Sequence, residues 1–143
     1  MEERILVGVY DGLRKFCKSH YPYMEGATYL GTYYTEPDYT MYYLSPEYPG
    51  VKLDGSESIL LEIYEVTKDI LHNIDYFEGV CSTQKFMNIY NRVNIDTPFG
   101  PTWIYEYNRV VVNRPKIYSG DWLRYKIEIG KSVKKHNVIK IDG

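Results

Sequence analysis

The chain has 143 residues, a length that suits one domain built around one core. Hydrophobic residues make up 44% and charged residues 25%, the balance of an ordinary soluble globular protein. A net charge of -2 leaves no strong field to draw it to nucleic acid or to an anionic membrane.

Other gross features narrow the class. No apolar run approaches the roughly 20 residues of a membrane span. Met1-Glu2-Glu3-Arg4 lacks the pattern of a secretory signal. Cys17 and Cys81 lie far apart and form no CxxC unit, which suits a reduced compartment and two plain small residues. The expectation is a cytoplasmic protein with no nucleic-acid or membrane partner. The basic run Lys131 to Lys140 reads as a solvated C-terminal segment. Seventeen tyrosines argue for β structure and amphipathic pocket walls.

In chain order, Ile5 to Tyr10 reads as a first strand that feeds a tight loop at Asp11-Gly12. His20 to Met24, aromatic and broken by Pro22, reads as irregular. Ala27 to Tyr34 and Tyr39 to Leu44 read as strands joined through Glu36-Pro37-Asp38, and Tyr48-Pro49-Gly50 as a loop. Ile59 to Val66 is a strong strand, apolar on both faces apart from Glu62 and Glu65. Thr67 then caps a helix with Asp69 in its first turn. Ile70, Leu71, Ile74 and Phe77 share one face at helical spacing, and Gly79 ends the helix. Met87 to Ile95 and Thr102 to Tyr107 read as strands turned at Thr97-Pro98-Phe99-Gly100-Pro101. A short strand is expected at Asn137 to Ile141. The fold class is α+β, with a small curled sheet or barrel and one main helix.

The chemistry gathers at Ile74-Asp75-Tyr76-Phe77-Glu78-Gly79. Glu78 lies in the last helical turn, where the negative end of the helix disfavours a carboxylate, beside apolar Phe77. Raised proton affinity is what a general base near neutral pH needs. Asp75, three residues earlier on the helix, could act with Glu78 as a paired acid; the alternative is a solvated acid at an ordinary helix end, with Asp75 solvated too. His20, His72 and His136 are scattered, and no HxH, HExxH or Cys/His cluster marks a metal site. Gly8 and Gly12 make neither GxGxxG nor a P-loop.

Several segments together resemble the gamma-glutamylcyclotransferase-like superfamily, in the branch of gamma-glutamylamine cyclotransferases and AIG2-like proteins. Val7-Gly8-Val9-Tyr10-Asp11-Gly12-Leu13-Arg14 resembles its first strand and Tyr-Gly-(Ser/Thr)-Leu loop. Tyr29-Leu30-Gly31, Tyr48-Pro49-Gly50 and Leu61-Glu62-Ile63-Tyr64-Glu65-Val66 resemble its Leu-Gly, Pro-Gly and Gly-Glu-Val-Tyr-Glu-Val segments. Ile74 to Gly79 resembles Leu-Asp-x-x-Glu-Gly, and Tyr90-Asn91-Arg92-Val93 resembles Tyr-x-Arg-x-x-Val. Trp103-Ile104-Tyr105 and Ser119-Gly120-Asp121-Trp122 resemble its C-terminal strand and Ser-Gly-Asp-Trp ending.

The resemblance implies a small mixed β-barrel with flanking helices, over a single domain of residues 1–143 with 123–143 as an extension. It implies Glu78 as the catalytic acid/base, without metal or organic cofactor. Tyr10, Asp11, Gly12 and Leu13 become the substrate-binding loop, with Tyr90 and Tyr107 as pocket-wall candidates. The implied partner is a small gamma-glutamyl compound or related metabolite, on a monomer or weak homodimer. The implied reaction releases 5-oxoproline and a free amine; a binding module with the same pocket is the alternative. Asp11 departs from the family loop, and would either repel a carboxylate or recruit a cationic amine. Gly12 would supply the flexibility lost at position 11.

Overall fold

The computed structural model describes residues 4–80 and 83–130. The elements run β1 (Ile5–Val9), α1 (His20–Met24), β2 (Thr28–Tyr34), β3 (Tyr39–Ser45), β4 (Tyr48–Glu57) and β5 (Leu60–Val66). Then come α2 (Lys68–Glu78), a 3-10 turn at Lys85–Met87, β6 (Tyr90–Thr97) and β7 (Gly100–Tyr107). Residues 122–130 form a further helix. The strand expected at Asn137 to Ile141 and the basic run from Lys131 lie outside the described residues.

Five strands form one sheet in the order β2-β5-β1-β7-β6, and β3 and β4 form a separate hairpin. The only parallel pair among them is β1 with β7, at Val7 and Trp103. The sheet does not close, since β2 and β6 are free edges. The expected barrel is therefore an open mixed sheet with the hairpin packed against β7.

Alternation along the central strands fills both faces. Val7 and Val9 of β1 and Tyr64 and Val66 of β5 meet Ile70 and Ile74 of α2 and Met24 of α1. On the opposite face, Leu61, Ile63 and Ile104 pack with Met41, Val51, Ile117 and Trp122. This double burial explains why β5 reads as apolar on both faces. Each fully buried aliphatic side chain contributes about 1.5–3 kcal/mol before entropy is subtracted.

Two local readings are corrected. His20 to Met24 is a helical turn despite Pro22, because proline at the third helical position removes an N–H that has no intrahelical acceptor. Tyr48-Pro49-Gly50 opens β4 instead of forming a loop. Pro49 pairs opposite Tyr43 in a hairpin of only two strands, where a missing ladder donor is tolerated.

The main helix follows the sequence closely. The Thr67 side chain accepts from the Ile70 N–H at 3.2 Å. At the other end Gly79 adopts φ 74, and its N–H donates to the Tyr76 carbonyl. The Val80 N–H reaches back to Asp75 O at 2.8 Å, completing a two-bond C-terminal cap.

Candidate active site

Three residues of α2 are buried: Ile70, Ile74 and Glu78. They are spaced four apart, so they lie in a row on one helix face. The row that starts with two core isoleucines ends with a carboxyl group. Glu78 is 5% exposed, which removes the solvated helix-end alternative.

The loop after β1 delivers a second carboxyl to the same place. The Asp11 carbonyl accepts from the Arg14 N–H at 3.1 Å, closing a turn. Asp11 Oδ1 accepts from the Leu13 N–H at 3.0 Å. This side chain is 4% exposed and lies beside the Glu78 carboxyl.

Burial pushes the Glu78 carboxyl well above the usual carboxylate range, and the neighbouring Asp11 and Asp75 carboxyls push it the same way. Proton affinity is raised, as the sequence suggests, but chiefly through burial and a second acid.

A cavity of about 350 Å³ opens over this pair. It is lined by Asp11, Gly12, Ser19, Glu47, Tyr48, Phe77, Glu78, Ile89 and Tyr90. Its size suits a small metabolite, and its walls are aromatic and apolar around a few convergent polar groups.

Each wall is held by identifiable contacts. The Tyr90 hydroxyl donates to the Pro49 carbonyl at 2.6 Å, joining β6 to the hairpin. The Ile89 N–H donates to Gly79 O. Arg109 donates to the carbonyls of Met87 and Asn88, bracing the segment before Ile89. Among the described residues, no group of three or more His, Cys, Asp or Glu could hold a metal ion.

The expected site residues separate into two groups. Asp11, Gly12, Glu78 and Tyr90 line the cavity. Tyr10 and Leu13 do not line it, and both are buried. The Tyr10 hydroxyl donates to the Tyr105 carbonyl at 2.7 Å, and Leu13 packs in the core under α2. Tyr107 also lies outside the lining; its ring packs edge-on behind Tyr90 at 5.3 Å.

Asp75 is neither solvated nor in the cavity. It accepts from the Tyr105 hydroxyl at 2.6 Å, with Arg92 at 3.7 Å, tethering α2 to β7. Gly12 does not take positive φ, so it supplies no special backbone freedom. A Cβ there would meet open space, so its contribution is room beside the acids. Ser19, Glu47 and Ile89 carry no recognisable signal in the sequence. Tyr48 does, through the Tyr48-Pro49-Gly50 motif.

A buried ion network holds the Asp11 loop. Arg14 Nε donates to Glu62 Oε2 and Nη1 to Asp121 Oδ1, both at 2.9 Å. Glu62 Oε1 also accepts from the Lys15 N–H at 2.7 Å and from the Tyr64 hydroxyl at 2.9 Å. Asp121 Oδ1 accepts from the Arg124 N–H in the first turn of the helix over 122–130. The loop is thereby fixed to β5 and to the start of that helix.

Comparison with known proteins gives a consistent result. The family model described as "Gamma-glutamyl cyclotransferase, AIG2-like" matches residues 7–124. A Vibrio cholerae protein is 37% identical over 117 residues, which cover 82% of this chain and 94% of that one. The Escherichia coli "Gamma-glutamylcyclotransferase family protein YtfP" is 34% identical over 116 residues, 80% of this chain and 93% of its own. The crystal structure of an uncharacterized Pyrococcus horikoshii protein superposes with TM-score 0.71 at 26% identity, covering 89% of this chain and 97% of that one. A mouse AIG2-like protein shares the fold, with TM-score 0.66 at 17% identity over 85% of this chain and 89% of its own.

Proposed function

The chain belongs to the gamma-glutamyl cyclotransferase, AIG2-like family, and from that premise we propose that it is an intramolecular cyclotransferase for a gamma-glutamyl amine or amide. The products are 5-oxoproline and a free amine. The observation that carries this reading is Glu78, a carboxyl placed on the buried face of α2 and lining a metabolite-sized cavity. The nucleophile and the scissile carbonyl belong to one molecule, so holding the substrate folded supplies much of the rate. Proton movement supplies the rest, from the substrate ammonium and onto the leaving nitrogen. The scheme calls for no metal or organic cofactor.

One contact favours a second reading, a binding module for a small metabolite. The Leu13 N–H, a donor suited to an oxyanion, already serves the Asp11 side chain. Thermal melting against gamma-glutamyl amines, with mass analysis of what is released, separates the two. A cyclotransferase releases 5-oxoproline and the amine with no metal added and with chelator present. A binding module raises the melting temperature by mass action and returns its ligand intact.

A further inference from the structure

We propose that Asp11 is a second catalytic carboxyl, which takes the ammonium proton while Glu78 serves first as the acid for the leaving nitrogen. The assignment rests on the cyclotransferase reading above and departs from a scheme with one shuttling glutamate.

The argument starts from placement. Asp11 and Glu78 come from different parts of the chain and line one cavity. Both are nearly excluded from water. Two facing carboxyls in such a site cannot both be ionised cheaply, so they hold one proton between them. Burial and the neighbouring charge place that proton on Glu78. A protonated Glu78 cannot accept the ammonium proton. Asp11, whose Oδ1 accepts from the Leu13 N–H, is the partner placed to act as the base.

The proton balance closes within the pair. Asp11 takes one proton from the substrate alpha-ammonium. The freed amine attacks the gamma-carbonyl carbon, and a C–N bond forms. Glu78 gives its proton to the departing nitrogen, and the old C–N bond breaks. The ionised Glu78 then removes the surplus proton from the ring nitrogen, leaving the neutral lactam. Asp11 passes its proton to the departing amine, which leaves as an ammonium ion. Both groups return to their starting states, and no co-reactant is consumed.

The test uses the full chain with two probes, gamma-glutamyl-n-butylamide and gamma-glutamyl-p-nitroanilide. Butylamine needs a proton to leave, whereas p-nitroaniline scarcely does. Asp11→Asn keeps the Oδ1 that accepts from Leu13, so its melting temperature should match or exceed that of the parent. Its kcat should fall about 100-fold on both probes. Glu78→Gln should lose at least about 100-fold on the butylamide and much less on the nitroanilide. A folded Asp11→Asn protein with kcat near or above that of the parent would overturn the assignment, because a lone Glu78 ionises more readily once the Asp11 charge is gone. Equal losses from both variants on both probes would also overturn it. A parent protein that forms 5-oxoproline from neither probe would defeat the cyclotransferase reading and this assignment together.

Discussion

Glu78→Gln is expected to abolish turnover of alkylamide substrates, at a cost of at least about 100-fold in kcat, while stabilising the fold. The substitution keeps the shape of the side chain and leaves an uncharged amide. It removes the transferable proton. The stability gain follows from proton linkage. An unfolded glutamate carboxyl titrates near the ordinary value of 4.5, whereas folding raises the Glu78 value well above it. Above pH 4.5 the unfolded chain has given up this proton and the folded chain still holds it. The Glu78 contribution is therefore complete at low pH and falls as pH rises toward the folded value. Gln carries no such dependence, so the melting temperature of the variant should gain on the parent progressively from about pH 5 to pH 7. Thermal melts at several pH values and a 5-oxoproline assay check both halves. Turnover within tenfold of the parent, in a folded variant, would remove Glu78 from the chemistry.

The second large effect concerns Arg14. Arg14 is 7% exposed, and its guanidinium bridges Glu62 and Asp121. Burial works against the charge, but the hydrogen bonds it donates to both carboxylates more than offset this and hold the group protonated. Arg14→Met leaves the buried Glu62 without its cation, and the expected loss is about 3–5 kcal/mol. The double variant Arg14→Met with Glu62→Leu should be less damaged than Arg14→Met alone, because an apolar pair leaves no uncompensated charge. Denaturant unfolding measures both. Activity should fall in the single variant at temperatures where it stays folded, since Arg14 fixes the turn that carries Asp11. A single variant that loses less than about 1 kcal/mol would class the network with weak surface pairs.

Much of this arrangement is legible in the sequence, and the rest is hidden for definite reasons. Thr67, Asp69 and Gly79 mark the ends of α2 through local chemistry, and the structure keeps both ends. The burial of Glu78 is also readable, because it continues the four-residue spacing of Ile70 and Ile74. The meeting of Asp11 with Glu78 is not readable, since it depends on α2 packing over the face of the sheet that carries β1. The same limit applies to Glu62 and Glu65. They look equivalent within the strand, yet Glu62 is buried against Arg14 while Glu65 pairs with exposed Arg4. Tyr107 and Tyr90 both read as candidates for a pocket wall. The pairing of Tyr90 opposite Tyr107 across β6 and β7 puts one ring in front of the other, and only Tyr90 reaches the cavity. β4 escapes notice because Pro49 and Gly50 read as turn residues, and hairpin pairing overrides that local preference.

The central claim is that the substrate's own amine closes a ring in the cavity above Glu78. A gamma-glutamyl alkylamide carrying nitrogen-15 at its alpha-amine, incubated with the protein in oxygen-18 water, tests it most directly. Mass spectra of the products should show the nitrogen label in the lactam of 5-oxoproline, an equal amount of free amine, and no oxygen from solvent. Labelled glutamate that carries solvent oxygen would mean hydrolysis, and unchanged substrate would mean that the chain does not catalyse the cyclisation; either result would contradict the account.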